Sequence, residues 1–331
     1  MSWNLIGHEW AEALFKQHVL NDEVRHAYLI TGAPGIGRRS LALEFACAMN
    51  CLNPPAPGEF CGTCRVCSQL LKMQQPDLSV IQPENDGGMI KVEQIRNLQH
   101  SLSLSPFEAR YRIALLVNFQ QANASAQNAL LKTLEEAPRK VILFLTADSA
   151  ENLLPTIASR CEILRLHPVP VPKVTEALIS RWHYPEENAS LYAHLSGGRL
   201  GMAVQLAADP EALEKRMQLL DDFTRLLGLD RRDRFAYVDT LTRNRDELRQ
   251  TLQVWYTYAR DLMLATAGHA DEVTNINRQE ELFRLSAQLD EAQALQVARC
   301  IDSALAALEV NGHTRLSMDV FCLDLPRLSV N

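Results

Sequence analysis

Apolar and polar positions follow two textures in the first half of the chain. Short apolar runs recur at "AYLITGA" (27–33), "DLSVIQP" (77–83), "YRIALLV" (111–117), "KVILFLTAD" (140–148) and "CEILRLHPV" (161–169), and each reads as a strand. Between them, "RRSLALEFACAMNC", "KVEQIRNLQHSLS" (91–103) and "ASAQNALLKTLEEAP" (124–138) carry helical spacing, the last closed by Pro138. This alternation predicts a mostly parallel sheet with helices on both faces. Such sheets bind ligands beyond the carboxyl ends of their strands.

After the proline-spaced "HPVPVPK" (167–173) the pattern becomes helical. A small helical unit punctuated by Gly197, Gly198 and Gly201 precedes longer helices from about residue 210. In "DELRQTLQVWYTYARDLMLATAG" (246–268), Leu248, Leu252, Trp255, Ala259 and Leu262 form one apolar stripe, expected to be core or subunit-contact surface.

Length changes the picture by favouring more than one core: 331 residues exceed what one core usually organises. A net charge of −7 argues against a mainly electrostatic grip on nucleic acid. No apolar run reaches the roughly 18–20 residues that span a bilayer, and the start lacks the features of a signal peptide. The expectation is a cytoplasmic protein without membrane contact, in which clustered cysteines suggest metal rather than disulfides.

Four of the eight cysteines fall in "CLNPPAPGEFCGTCRVC": Cys51, Cys61, Cys64 and Cys67. The overlapping C-x-x-C steps let backbone N–H groups turn towards sulfur, and the Pro/Gly-rich loop lets Cys51 reach back. Four thiolates suit one structural tetrahedral Zn²⁺. An iron–sulfur cluster and a metal-free set of thiols are the alternatives; zinc is preferred because the fourth cysteine precedes the trio and no proline follows it. Cys47, Cys161, Cys300 and Cys322 stand apart in apolar contexts and are expected to be buried hydrophobes.

The stretch "ITGAPGIGRRSLA" (30–42) nearly spells a phosphate-binding loop. Gly32, Gly35 and Gly37 match it, but Arg38 and Arg39 stand where Lys and Ser or Thr belong, and Ser40 comes one residue late. Glycine amides that favour anions are kept, while the magnesium hydroxyl is gone.

"HAYLITGAPGIG", the cysteine knuckle, "SAQNALLKTLEEAP" and "TIASRC" occur in the order and spacing of clamp-loader subunits of bacterial DNA polymerase III. The chain resembles their delta prime branch, close kin of the gamma/tau ATPase subunits. The resemblance implies α/β plus all-α architecture. An AAA+ P-loop-type domain would cover 1–166 with a zinc-binding insert (51–67), a helical lid 167–208, and a C-terminal helical collar 209–331 for oligomerisation. It also implies gamma/tau and delta as partners, with the sliding clamp and primed DNA met through the assembled complex.

A hydrolysing relative carries Asp-Glu at the end of the strand before the "NALLKTLEE" helix, for metal and water. Those places here hold Val117 and Asn118, and no acidic residue lies between Tyr111 and Leu134. Asp148 and Glu151 read as ordinary loop charges. The sensor-2 arginine is replaced by Gly201, and Thr146 matches the polar sensor-1 station, though it equally fits a hydroxyl satisfying local backbone. ATP is therefore expected not to be hydrolysed. Residual nucleotide binding through the glycines, or filling of the phosphate pocket by Arg39, both remain open. Arg160, between Ser159 and Cys161 in the S-R-C motif, is implied to serve as an arginine finger in the neighbouring gamma/tau site. A surface salt bridge is the plainer alternative for it. The rival functions are a gamma-like ATPase, and a zinc-dependent nucleic-acid binder using Arg65, Lys72 and Phe60.

Overall fold

The computed structural model describes residues 3–83, 88–242, 244–309 and 313–328. The ending "VNGHTRLSMDVFCLDL" that contributed to the resemblance therefore begins outside the described residues. The chain divides into two compact units, residues 1–177 with 198–202, and 178–197 with 203–331.

In the first unit the elements run α1 (Glu9–Leu20), β1 (Ala27–Thr31), α2 (Arg38–Asn50), α3 (Arg65–Leu71), β2 (Leu78–Ile81), α4 (Val92–Leu102), β3 (Arg112–Leu116), α5 (Ala124–Glu135), β4 (Val141–Ala147), α6 (Pro155–Ala158) and β5 (Glu162–Arg165), followed by α7 (Val171–Trp182), whose last residues fall in the second unit. All five strands are parallel, in the order β2-β3-β4-β1-β5. The expected strands are all present, and their near-continuous apolar character reflects burial on both faces. Along β1, Tyr28 and Ile30 face one core while Ala27 and Leu29 face the other. The first core adds α1, α2 and the cysteine insert; the second adds α4, α5 and α6. The sequence reading did not anticipate α1, whose Phe15 stacks on Phe45 with centroids 3.7 Å apart.

Asp77, just before β2, is 1% exposed yet charged. Burial alone would push its pKa up. Backbone N–H groups of Phe107, Glu108 and Ala109, at 2.7–2.9 Å, outweigh that and hold it below the usual carboxylate range. They tie the loop that leads into β3, whose carboxyl end enters the site described below.

The second unit is helical: α8 (Glu186–Leu195), α9 (Leu200–Ala208, its first residues in unit 1), α10 (Pro210–Gly228), α11 (Arg231–Leu241), α12 (Arg245–Thr266), α13 (Gln279–Ser286), α14 (Glu291–Glu309) and α15 (Thr314–Asp324). The predicted stripe on α12 is its core: Leu248, Leu252, Trp255, Ala259 and Leu262 are fully buried. Trp255 stacks on Phe223 at 5.1 Å and donates its indole N–H to Leu219 O at 2.7 Å. Among the described residues no helix is long and apolar enough to cross a membrane.

Arg234 on α11 is buried without a carboxylate partner among the described residues. Its five N–H groups instead reach the carbonyls of Leu226 (3.1 Å), Leu227 (3.0 Å), Cys322 (3.4 Å), Pro326 (2.9 Å) and Leu325. These lie at the carboxyl ends of α10 and α15, where unpaired carbonyls and the negative dipole end both favour a cation. Arg234→Met should strand several buried carbonyls and lower stability by about 3 kcal/mol, readable as a shifted urea midpoint in helical circular dichroism. Arg234→Lys, with three donors on a point charge, should recover only part of it.

Candidate functional site

The carboxyl ends of β1, β3 and β4 gather three loops at one edge of the sheet. Thr31 pairs with Ala147 and Leu116 with Leu145, so Gly32, Asn118 and Asp148 emerge side by side. The N–H of Gly32 bridges the carbonyls of Ala147 and Asp148, each at 3.2 Å. Gly32 has φ +144°, and a Cβ there would stand 2.7 Å from Leu166 O. The loop's positive-φ glycines thus meet a backbone demand that no other residue satisfies.

Arg38 opens α2 behind a left-handed Gly37, at the positive end of the helix dipole. A cation there needs an anion, and the protein supplies its own. The guanidinium is 8% exposed; Nη1 donates to Asp148 Oδ1 at 2.8 Å and Nη2 to Asn118 Oδ1 at 3.1 Å. Asp148 is therefore no ordinary loop charge, correcting the sequence reading: it is the counter-ion of a buried arginine. Arg39, which the sequence reading considered as the residue filling this pocket, is exposed, as is Ser40. The buried arginine of the pair is Arg38.

Asn118 adopts φ +51°, and its backbone N–H donates to Thr146 Oγ1 at 2.9 Å. The buried Thr146 hydroxyl thus serves local backbone. Val117 hydrogen-bonds back to Ile81 O at 2.8 Å and packs half-buried against the first core. Across the loop, Met202 N–H donates to Gly35 O at 3.3 Å. A Cβ on Gly201 would meet that same oxygen at 2.7 Å, so the place of the expected arginine here admits no side chain.

Cys51, Cys61, Cys64 and Cys67 bring all four Sγ atoms within 4.8 Å of one another. The Sγ atoms of Cys51 and Cys61 are 3.5 Å apart, near the roughly 3.8 Å edge that four Zn–S bonds of about 2.3 Å produce. The foreseen turn of backbone towards sulfur is present. Cys61 N–H points at Cys51 Sγ (3.3 Å), Cys64 N–H at Cys61 Sγ (3.2 Å) and Cys67 N–H at Cys64 Sγ (3.5 Å). The N–H groups of Cys64 and Thr63 bring the Cys61 thiol down to about 6. Burial pushes Cys51 up to about 12 and raises Cys64; the neighbouring Cys47 thiol, then burial, raise Cys67. One thiolate is thus ready, and a divalent cation would displace protons from the rest. The donor set fits a metal ion and is consistent with structural zinc. Cys47 stays outside the cluster, its thiol against Cys67 O at 3.8 Å. Phe60 is 2% exposed and lies edge-on to Trp3 at 5.6 Å, while Arg65 pairs with Glu108 at 3.4 Å. Phe60 thus belongs to the core, while the Arg65 side chain stays mostly exposed.

Arg160 follows the single turn of α6 with Ser159 and Cys161. Nη1 donates to Thr156 O at 2.8 Å and Ser159 Oγ at 3.4 Å, and Nη2 to Glu135 Oε1 at 2.6 Å. Its side chain remains about one third exposed. The Cys161 thiol sits against the second core, where burial pushes it up to about 12. Sequence reasoning missed the Arg38–Asp148–Asn118 knot and Glu135, because both join residues more than twenty positions apart.

The family model described as "DNA polymerase III, delta subunit" matches residues 7–170, the parallel-sheet region. The delta' subunit of Pseudomonas aeruginosa is 33% identical over 66% of this chain and 66% of its own length. The delta' subunit of Bacillus subtilis is 32% identical over 62% of this chain and 61% of its own. The tau subunit of Escherichia coli K12 is 28% identical over 62% of this chain and 34% of its own. In each case the match spans less than two thirds of the relative's length. The sheet, glycine loop and these matches together define the class, an AAA+ module of the clamp-loader type. Within it, the chain belongs to the delta' family of DNA polymerase III subunits, related to gamma/tau.

If Asp148 balances Arg38, Asp148→Ala should leave a buried guanidinium uncompensated and destabilise by about 2 kcal/mol. That is less than a fully buried pair would lose, because the Asp148 side chain is 28% exposed. Arg38→Met combined with Asp148→Leu should cost less than the sum of the single changes in a thermal-unfolding cycle.

Proposed function

We propose that this chain is a non-hydrolysing stator subunit of a DNA polymerase III clamp loader. It would assemble with gamma/tau and delta subunits and help place a sliding clamp on primed DNA in the cytoplasm. Its own loop would turn over no ATP, and Arg160 would complete the ATP site of a neighbouring gamma/tau subunit. Residues 1–166, 167–208 and 209–331 would act as AAA+ domain, lid and collar. A structural zinc ion would be held by Cys51, Cys61, Cys64 and Cys67, and with four thiolates it leaves no position for catalysis.

One observation carries the reading: the buried guanidinium of Arg38, which follows the glycine loop, is bonded to Asp148 and Asn118 of the same chain. Hydrolysis needs a carboxylate for the metal and another for water at the end of β3. Val117 and Asn118 offer neither, and Asp148 is engaged by Arg38. The delta' names of the relatives support the partners, and the exposed end of Arg160 supports its use in trans.

The isolated chain should release no phosphate from ATP above a protein-free blank, even with primed DNA. Arg160→Ala should assemble normally yet lower the DNA-stimulated ATPase of the complex, by as much as 10³-fold at the affected site. An unchanged rate refutes the finger. One equivalent of zinc per chain should be released by a thiol-reactive mercurial, and Cys64→Ser should bind it less tightly.

A further inference from the structure

Helix α5 holds the S-R-C turn at two points. Near its start, Gln127 Oε1 accepts the N–H of Leu154, the residue that caps α6, at 3.0 Å. At its last residue, Glu135 Oε1 accepts from Arg160 Nη2 at 2.6 Å. The two attachments are eight residues apart, about 12 Å along the helix.

Glu135 stands where a carboxylate is disfavoured. It ends α5, next to Glu136, at the negative pole of the helix dipole. Arg160 supplies the compensating charge from across a loop. Exposed ion pairs of this kind add little stability, so what the contact contributes is orientation. A free arginine side chain samples many rotamers, and each must be given up before its fork can meet a phosphate. Here the guanidinium is already fixed by Thr156 O, Ser159 Oγ and Glu135. Three of its five N–H groups are engaged, leaving Nε–H and one Nη2–H without a partner among the described residues. Those two donors suffice for a bidentate grip on phosphoryl oxygens.

We propose that Glu135 is a positioning residue for Arg160: through the 2.6 Å bond to Nη2 it presents the remaining guanidinium donors to the triphosphate of a neighbouring subunit. This rests on the reading of Arg160 as a finger. Misplacement by about 1 Å can cost on the order of 10²-fold in rate, so an arginine no longer held should lose much of its effect.

The test uses the assembled complex with gamma/tau and delta, reading DNA-stimulated ATP hydrolysis at varied ATP. Glu135→Ala should lower kcat roughly tenfold at the affected site with KM unchanged. Glu135→Gln, which keeps an acceptor oxygen, should restore most of the rate, and Glu135→Ala added to Arg160→Ala should cause no further loss. The exposed Glu135 should leave the thermal midpoint unmoved, separating orientation from folding. If Arg160→Ala slows the complex while Glu135→Ala leaves kcat equal or higher, the positioning role is overturned and the finger stands. If Arg160→Ala itself changes nothing, the finger reading falls and takes this inference with it.

Discussion

A cation at the mouth of the glycine loop is the constraint around which the sheet's carboxyl edge is organised. In a nucleotide-binding loop the positive charge there meets phosphate. This protein places a guanidinium in the same position, 8% exposed, at a helix end that repels it. Unpaired, it would be strongly destabilising. Asp148 arrives from the end of β4 and Asn118 from the end of β3, so two neighbouring strands terminate on one side chain from a third loop. On the proposed reading, positions that serve catalysis in hydrolysing relatives have become a structural knot.

The same rule governs other buried charges, with backbone groups adding to or replacing a counter-ion: Asp77 pairs with Arg112 at 3.3 Å and Asp261 with Arg260 at 3.4 Å. Asp77 collects three N–H groups from one loop. Asp261 on α12 accepts from the N–H groups of Thr274 (3.0 Å) and Asn275 (2.7 Å). Arg234 caps two helices at once through carbonyls. Anions take N–H groups where turns expose them, and cations take carbonyls where helices end. Each arrangement ties a loop or helix end to a distant element, which apolar packing alone does not specify.

Apolar patterning made the five strands and the α12 stripe legible because period and burial are local properties. The cysteine spacing was equally readable: ligand number and N–H···S turns follow from overlapping C-x-x-C steps. What stayed hidden was pairing at long range. Asp148 looked like a loop charge because nothing near it in sequence needs an anion; its partner lies 110 positions away. Arg39 was considered for the phosphate pocket, yet the direction in which the first turn of α2 leaves Gly37 buries Arg38 and exposes Arg39. Helix α1 escaped notice because its weakly amphipathic face is read only once Phe15 meets Phe45. Glu135 was seen as part of a motif, and its role depends on where α6 turns.

Helix α5 connects the two ends of the functional proposal. Its start follows the turn at Asn118, whose carbonyl accepts Gln121 N–H at 2.9 Å, and its end holds Arg160. In a subunit that binds and hydrolyses ATP, the residue at the start of this path would face a ligand that comes and goes. A ligand shifts a structure only through different affinities for its states. Here the side chain of Asn118 is held by Arg38, a group of the same chain. On the proposed reading, the platform carrying Arg160 would be insulated from any nucleotide cycle in its own chain. A donor that must stabilise charge in another subunit's site gains from being fixed beforehand, since reorganisation at the moment of reaction would subtract from its effect. Pairing Arg38 within the chain and holding Arg160 in place are, on this reading, two ends of one requirement for a surface that does not move.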